Sequence, residues 1–198
     1  MQCSEVKPWA GEEGLFRCGI QDDLFPDEGS FVDGREPGHP SLARDAGDTP
    51  GRLMLDCYSR VRGAVVCMHT AARLHGLLAD TSRTLWLGAP LRVHVPRRDR
   101  ADLRVIRWSN HPAFEVGVED ASFAESTVRC TNAERTLVDL VRYGRHAGGT
   151  TTAAKCARAY FEAGGTEASV RAVAEALRIS RPARVILETL LLGVGSRS

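Results

Sequence analysis

Leu137, Leu140 and Val141 fall at i, i+3 and i+4 within residues 131–144, the spacing that puts three apolar side chains on one buried stripe of a helix. Thr131 and Glu134 have the S/T-x-x-E spacing of a capping box, in which each side chain satisfies a backbone N–H that the first turn leaves orphaned. Gly144 is placed to supply a left-handed stop. The pattern predicts a helix over 131–144 whose opposite side carries Arg135, Asp139 and Arg142, close enough to pair across one turn. That charged side reads either as a solvated ion ladder or as a recognition surface.

The same period continues to the end of the chain. A helix is expected over about 150–163, with Ala153, Cys156, Ala157, Tyr160 and Phe161 inward and Gly164-Gly165 ending it. Thr166 opens a third, on which Val170, Val173, Ala174 and Leu177 repeat at helical spacing, and Ser180 with Pro182 opens a fourth that ends near Gly193. Upstream, Leu53, Met54, Leu55, Tyr58 and Val61 predict a short helix. Ala64 to Cys67 predicts a brief buried strand, and Thr70 a cap for a helix stopped by Gly76. Between these lie strand-like runs at 84–87, 91–95, 103–108, 115–118 and 127–130, separated by turn signals such as Gly88-Ala89-Pro90 and Asn110-His111-Pro112. Strands followed by a run of helices predict an α+β fold: a small antiparallel or mixed sheet in the middle of the chain, then a C-terminal cluster of four helices.

Residues 1–57 read differently. They are acidic, rich in Pro and Gly, and offer little apolar surface to offset the entropy of ordering, so they are expected to be poorly structured, and 58–198 to form the main domain. The net charge of +1 conceals this contrast: residues 1–50 hold 4 Lys/Arg against 11 Asp/Glu, and residues 51–198 hold 22 against 14. The basic body is the part that could meet a polyanion. Its charge is almost all arginine, the better fork for phosphate and carboxylate, since only Lys7 and Lys155 are lysines.

Arg92, His94, Arg97, Arg98, Arg100, Arg104 and Arg107 lie over the two strands 91–95 and 103–108 and the hairpin expected between them. Alternation puts Arg92 and His94 on one face, whereas Arg104 and Arg107 fall on opposite faces of their own strand. The group is a candidate ribbon for phosphates or an acidic protein surface, against the plainer reading of a solvated sheet face. Trp108 could stack on a base or close the edge of the core. His75, before Gly76, fits a helix C-terminus, where the dipole favours a protonated ring and free carbonyls await a donor.

Candidate chemistry narrows the classes further. The six cysteines are scattered with no C-x-x-C, which points to a reducing compartment and no zinc site. No apolar run follows positive charge at the start, and 185–194 is interrupted by Glu188 and short for a bilayer, so a cytoplasmic protein without membrane association is expected. Phosphate-loop, dinucleotide, zincin and serine-hydrolase signatures are all missing. Glu115, Glu119, Asp120 and Glu125 form the one acidic patch of the body and would have to serve any metal-dependent nuclease, but they read better as edge-strand solubilisation. No metal, no cofactor and no catalytic residue are expected.

Taken in order, AVVCMHTAARLHGL (64–77), TLWLGAP (84–90), LRVIRWSN (103–110) and VRCTNAERTLVDLVRYGRHAG (128–148) resemble the C-terminal domain of the AbiEi family of abortive-infection antitoxins. The resemblance covers about residues 58–192, with His75, Arg135 and Asp139 at matching motif positions. It implies a non-catalytic antitoxin or regulator of a type IV toxin–antitoxin system in phage defence, whose partner is a nucleotidyltransferase-like toxin. Members of that family also carry an N-terminal winged helix-turn-helix for operator DNA. Residues 1–57 show no such pattern and are acidic where a DNA reader should be basic. Two other readings stay open: a transcriptional regulator binding DNA or RNA through the arginine-rich strands, and a metal-dependent nuclease.

Overall fold

The computed structural model describes residues 31–33, 50–79, 82, 84–95, 103–123 and 126–195. Expectations for residues 1–30 and 34–49, and for the hairpin residues Arg97, Arg98 and Arg100, lie outside the described residues. The fold is α+β, a mixed sheet followed by four C-terminal helices. Its strands are β1 (Phe31–Asp33), β2 (Val65–Val66), β3 (Leu85–Pro90), β4 (Leu103–Trp108), β5 (Val118–Phe123) and β6 (Ser126–Thr131), in the spatial order β1-β4-β3-β2-β6-β5. β3 pairs with β4, and β2 with β6, in parallel; the remaining neighbours are antiparallel.

Helix α1 (Pro50–Arg60) precedes the sheet centre and runs through residue 57, and α2 (Met68–Leu74) follows β2. The C-terminal cluster is α3 (Ala133–Arg142), α4 (Gly149–Glu162), α5 (Glu167–Ala176) and α6 (Arg181–Gly195). Thr166 caps α5 by accepting from Ser169 N at 3.2 Å, as its spacing predicted. Gly76 adopts φ +69° just beyond α2, the left-handed stop expected there. Gly144 does not: α3 ends at Arg142, Gly144 has no positive φ, and it starts a short 3-10 turn, Gly144–His146.

The sheet is covered on both faces, which explains why β3 reads as an unbroken apolar run rather than an alternation. Leu85, Leu87, Ala89, Leu103, Val105, Val66 and Val128 form one core, with Met54, Leu55, Cys57 and Tyr58 of α1 packed against it. Val65, Trp86, Ile106 and Trp108 face the other core, shared with Leu137, Leu140, Ala157, Val170 and Leu187 of the C-terminal helices. Helix α3 is the hub of that layer and touches α2, α4, α5 and α6. Each fully buried leucine there contributes about 1.5–3 kcal/mol of hydrophobic stabilisation.

Two strand expectations are corrected. Residues 91–95 are not a strand: β3 stops at Pro90, a turn follows, and only Val93 and Val95 reach the core. Residues 91–95 do not pair with β4, whose neighbours are β1, antiparallel, and β3, parallel in the register Leu85↔Leu103 to Pro90↔Trp108. The strand expected at 115–118 begins at Val118, since 115–117 form a turn.

Candidate functional site

The charged side of α3 is neither a solvated ladder nor a recognition surface, because it is buried. Arg135 and Asp139 have no exposed side-chain surface, and Arg142 is 6% exposed. Arg135 Nε donates to Asp139 Oδ2 at 2.9 Å, and Nη1 donates to Val116 O at 2.8 Å. The guanidinium lies over the Trp108 ring, 4.9 Å from its centroid. Asp139 also has Arg142 Nη1 at 3.9 Å from its second oxygen, so one carboxylate sits between two guanidinium groups. Inside a protein such an arrangement persists only when each charge is paired, since an isolated buried ion is far too costly.

Local structure delivers Arg135 to this position. The cap of α3 is Asn132, not Thr131: its side chain accepts from Arg135 N at 2.9 Å. Thr131 instead ends β6, fully buried, with its hydroxyl 2.8 Å from that of Thr136. Glu134 does not complete a capping box; it accepts a 2.9 Å hydrogen bond from the Tyr160 hydroxyl. Gly117 makes the rest possible. It holds φ +62°, and a Cβ there would lie 2.7 Å from Arg135 Cβ and 2.9 Å from Asn132 Oδ1. Asn132 N bonds Gly117 O at 2.8 Å, so the 115–117 turn, the cap and the buried arginine are one unit.

His75, singled out by the sequence, and His69 beside it on α2 are both pinned to carbonyls. His75 Nε2 lies 2.7 Å from Thr131 O and His69 Nε2 lies 2.9 Å from Ala147 O. A carbonyl only accepts, so Nε2 carries the proton in each case. Thus His75, Arg135 and Asp139 all converge on the junction where β6 passes into α3. Thr70 is likewise structural rather than a cap. Its hydroxyl accepts from Trp86 N at 2.9 Å, and α2 begins after Cys67 with no side-chain cap.

The arginine group is dispersed. Arg92 and His94 are exposed beyond the end of β3. Arg104 is half-buried over the Trp86 ring at 5.3 Å, and Arg107 lies on the opposite face of β4, donating from Nη1 to Pro90 O at 2.8 Å. Burial lowers the Arg107 pKa from its ordinary value, so this charge carries a desolvation cost. Glu119 and Asp120 stand exposed on β5, which pairs on one side only, and Glu115 meets His111 at 3.2 Å on the surface.

A small crevice, not expected from the sequence, lies where β4 ends and α3 finishes. Arg107, Trp108, Ser109, Asn110, Ala113, Arg142 and Tyr143 line it. Trp108 closes the core edge: its ring packs edge-on with Phe114 at 5.1 Å and so close over Gly88 that a Cβ there would meet it at 2.4 Å. Its indole N–H is buried with no acceptor among the described residues. It joins segments 29 or more positions apart, so no local pattern marks it.

Three of the described thiols are poor nucleophiles. Burial, then the neighbouring Asp139 charge, push Cys67 well up; burial raises Cys130 to about 12 and Cys156 to about 11. Among the described residues no His, Cys, Asp and Glu side chains cluster in a way that could hold a metal ion, and no helix is long and apolar enough to cross a membrane. The site is a buried polar lock on a two-sided α+β scaffold, with a small crevice at the end of β4. No known family model and no curated protein matches the chain.

Proposed function

We propose that the chain is a non-catalytic antitoxin or regulator of the AbiEi type, acting in the cytoplasm to neutralise a nucleotidyltransferase-like toxin. One observation carries this reading: the motif residues His75, Arg135 and Asp139 are spent on the β6–α3 junction and present no group to a reactant. A motif used in this way maintains a scaffold for binding, and binding is what an antitoxin does. The test is co-expression with the neighbouring gene. Growth that is arrested by the neighbour alone and restored by this chain supports the proposal; arrest without rescue overturns it.

A second reading, nucleic-acid-binding regulator, is favoured by the exposure of Arg92 and His94 beside the segment holding Arg97, Arg98 and Arg100. It predicts duplex or RNA binding that weakens steeply with salt and weakens again when those arginines are neutralised. Absence of binding at low salt removes it.

A further inference from the structure

Helix α6 does not turn a polar side to solvent as its neighbour α4 does. On α4 the outward positions are Thr151, Lys155, Arg158 and Glu162, all exposed. Among the described residues four large apolar side chains are exposed, and three of them, Val185, Ile186 and Leu192, lie on α6. Val185 is 59% exposed and Leu192 67%, so neither belongs to the core. Arg181, Val185, Thr189 and Leu192 follow at helical spacing and are all exposed, which makes one stripe along the outer face. The stripe begins in positive charge. Arg178 in the turn after α5, and Arg181 and Arg184 in the first turn of α6, are exposed and make no ion pair among the described residues. The one acid of α6, Glu188, is held by Arg171 at 2.9 Å.

A contiguous apolar face on a helix marks a contact surface, and its charge selects the occupant. A second copy of the chain would bring the same three arginines to the face and no free carboxylate. Three apolar side chains also cover far less than the ~800 Å² per partner that a stable dimer needs. Nucleic acid would meet the arginines and leave the apolar stripe in water. An acidic segment with apolar anchors answers both halves, and the chain carries one. Residues 22–28, Asp-Asp-Leu-Phe-Pro-Asp-Glu, hold four acids, no base and two large apolar side chains. Position fits as well. Phe31 lies opposite Ile106 in the antiparallel β1–β4 pair, so the chain before it leaves toward the Trp108 end of β4. That is the end at which α3 finishes, and α6 packs against α3 and α4. Seven residues reach about 24 Å, and α6 from Arg181 to Leu192 is about 16 Å long. A segment of the same chain is presented at a roughly millimolar effective concentration, so a small patch suffices. We propose that residues 22–28 seat on the outer face of α6, with Leu24 and Phe25 against Val185, Ile186 and Leu192 and the acids against Arg178, Arg181 and Arg184. The face is then closed to other anionic partners unless they displace the chain's own acids. The proposal does not rest on the antitoxin reading.

Nitrogen-15 correlation spectra of the full chain provide the test. The double variant Leu24→Ser/Phe25→Ser should shift the amide signals of Val185, Thr189 and Leu192 and leave those of the sheet in place. If it disturbs the sheet, Asp22→Asn/Asp23→Asn gives the same comparison. A synthetic peptide of residues 20–30, added to the variant, should return the α6 signals saturably toward those of the parent. Replacing the four acids of the peptide by their amides should weaken it roughly tenfold, and Arg181→Gln in the chain should weaken the unaltered peptide about threefold. Signals of α6 that ignore both the variant and the peptide overturn the proposal. So does a peptide that binds equally well in its amide form. Signals of α6 that move with protein concentration make a second copy the occupant, and a short RNA that shifts them in the parent as readily as in the variant shows an open face; either result also overturns it.

Discussion

Two of the arginines that pair with an acid one helical turn away, Arg135 and Arg171, have opposite fates. Arg135 meets Asp139 inside the core with neither side chain exposed. Arg171 meets Glu167 at 2.8 Å and Glu188 of the next helix at 2.9 Å, with all three side chains 35–40% exposed. The spacing is the same, and the exposed arginine even has the better set of partners. What differs is what surrounds the pair. Around Arg135 the 115–117 turn, the Trp108 ring and Asn132 exclude water, so removing one partner strands the other. Around Arg171, solvent and salt screen every charge. The inner pair therefore determines the local structure, while the outer pair decorates two helices that already pack.

The largest expected effect comes from breaking the inner pair. Arg135→Ala should cost about 3–5 kcal/mol, since it leaves Asp139 buried beside a cavity and frees Val116 O. Denaturant unfolding of the variant beside the parent measures this. A loss below about 1 kcal/mol would place Arg135 in the same class as Arg171 and end the contrast.

Alkali sharpens the contrast next, because burial also governs groups that are neutral at pH 7. Cys130, Cys156 and Tyr143 have folded-state pKa values raised to about 12, 11 and 12, mainly by burial, with Glu119 adding to the rise at Cys130 and Asp139 to that at Tyr143. A raised pKa means that the folded state holds its proton where the unfolded state has lost it. The stability these groups contribute is present in full below about 9, and is lost as pH rises toward 12. Glu188 has the opposite sign. Arg171 depresses its pKa, so its contribution is present above the ordinary carboxylate value and fades as pH falls, and its exposure keeps that contribution small. Stability measured from pH 7 upward should fall steeply above 9, whereas Glu188→Gln should leave the acid limb nearly unchanged.

Asn132→Ala probes the same lock more gently. It removes the cap that holds Arg135 N at 2.9 Å but leaves the ion pair in place, so a loss of about 1 kcal/mol is expected in the same unfolding assay. A loss as large as that of Arg135→Ala would show that the cap alone positions the arginine.

The sequence made the outer pair's surroundings far more legible than the inner pair's. Helices α4, α5 and α6 follow from local signals, namely 3.6-residue periodicity, Thr166 as a cap and Pro182 in a first turn. The α3 stripe was equally clear, but its cap lies one residue further on, because Thr131 and Asn132 are both competent and the end of β6 claims the threonine. Spacing showed that Arg135 and Asp139 could pair; it carried nothing about burial, which depends on a turn about 19 residues upstream. The alternation in 91–95 looked like a strand because an extended loop that seats Val93 and Val95 writes the same pattern. The parallel β3–β4 pair and the Trp108–Gly88 contact are non-local and left no trace in either segment alone. The crevice built on them was invisible for the same reason.

The smallest effect is expected at the surface. Arg171→Ala breaks the contacts to Glu167 and Glu188, and with them the ion pair between α5 and α6. Both helices keep their apolar seats, with Val170 and Ala174 of α5 and Ala183, Leu187 and Leu191 of α6 buried in the shared core. Lost Coulomb attraction is offset by side-chain entropy regained and by hydration of three groups that water already reaches. The melting temperature should stay within about 2 °C of the parent, with the small difference vanishing in high salt. A salt-independent loss comparable to that of Arg135→Ala would mean that the α5–α6 contact depends on charge rather than packing. In that case exposure would no longer separate the two arginines.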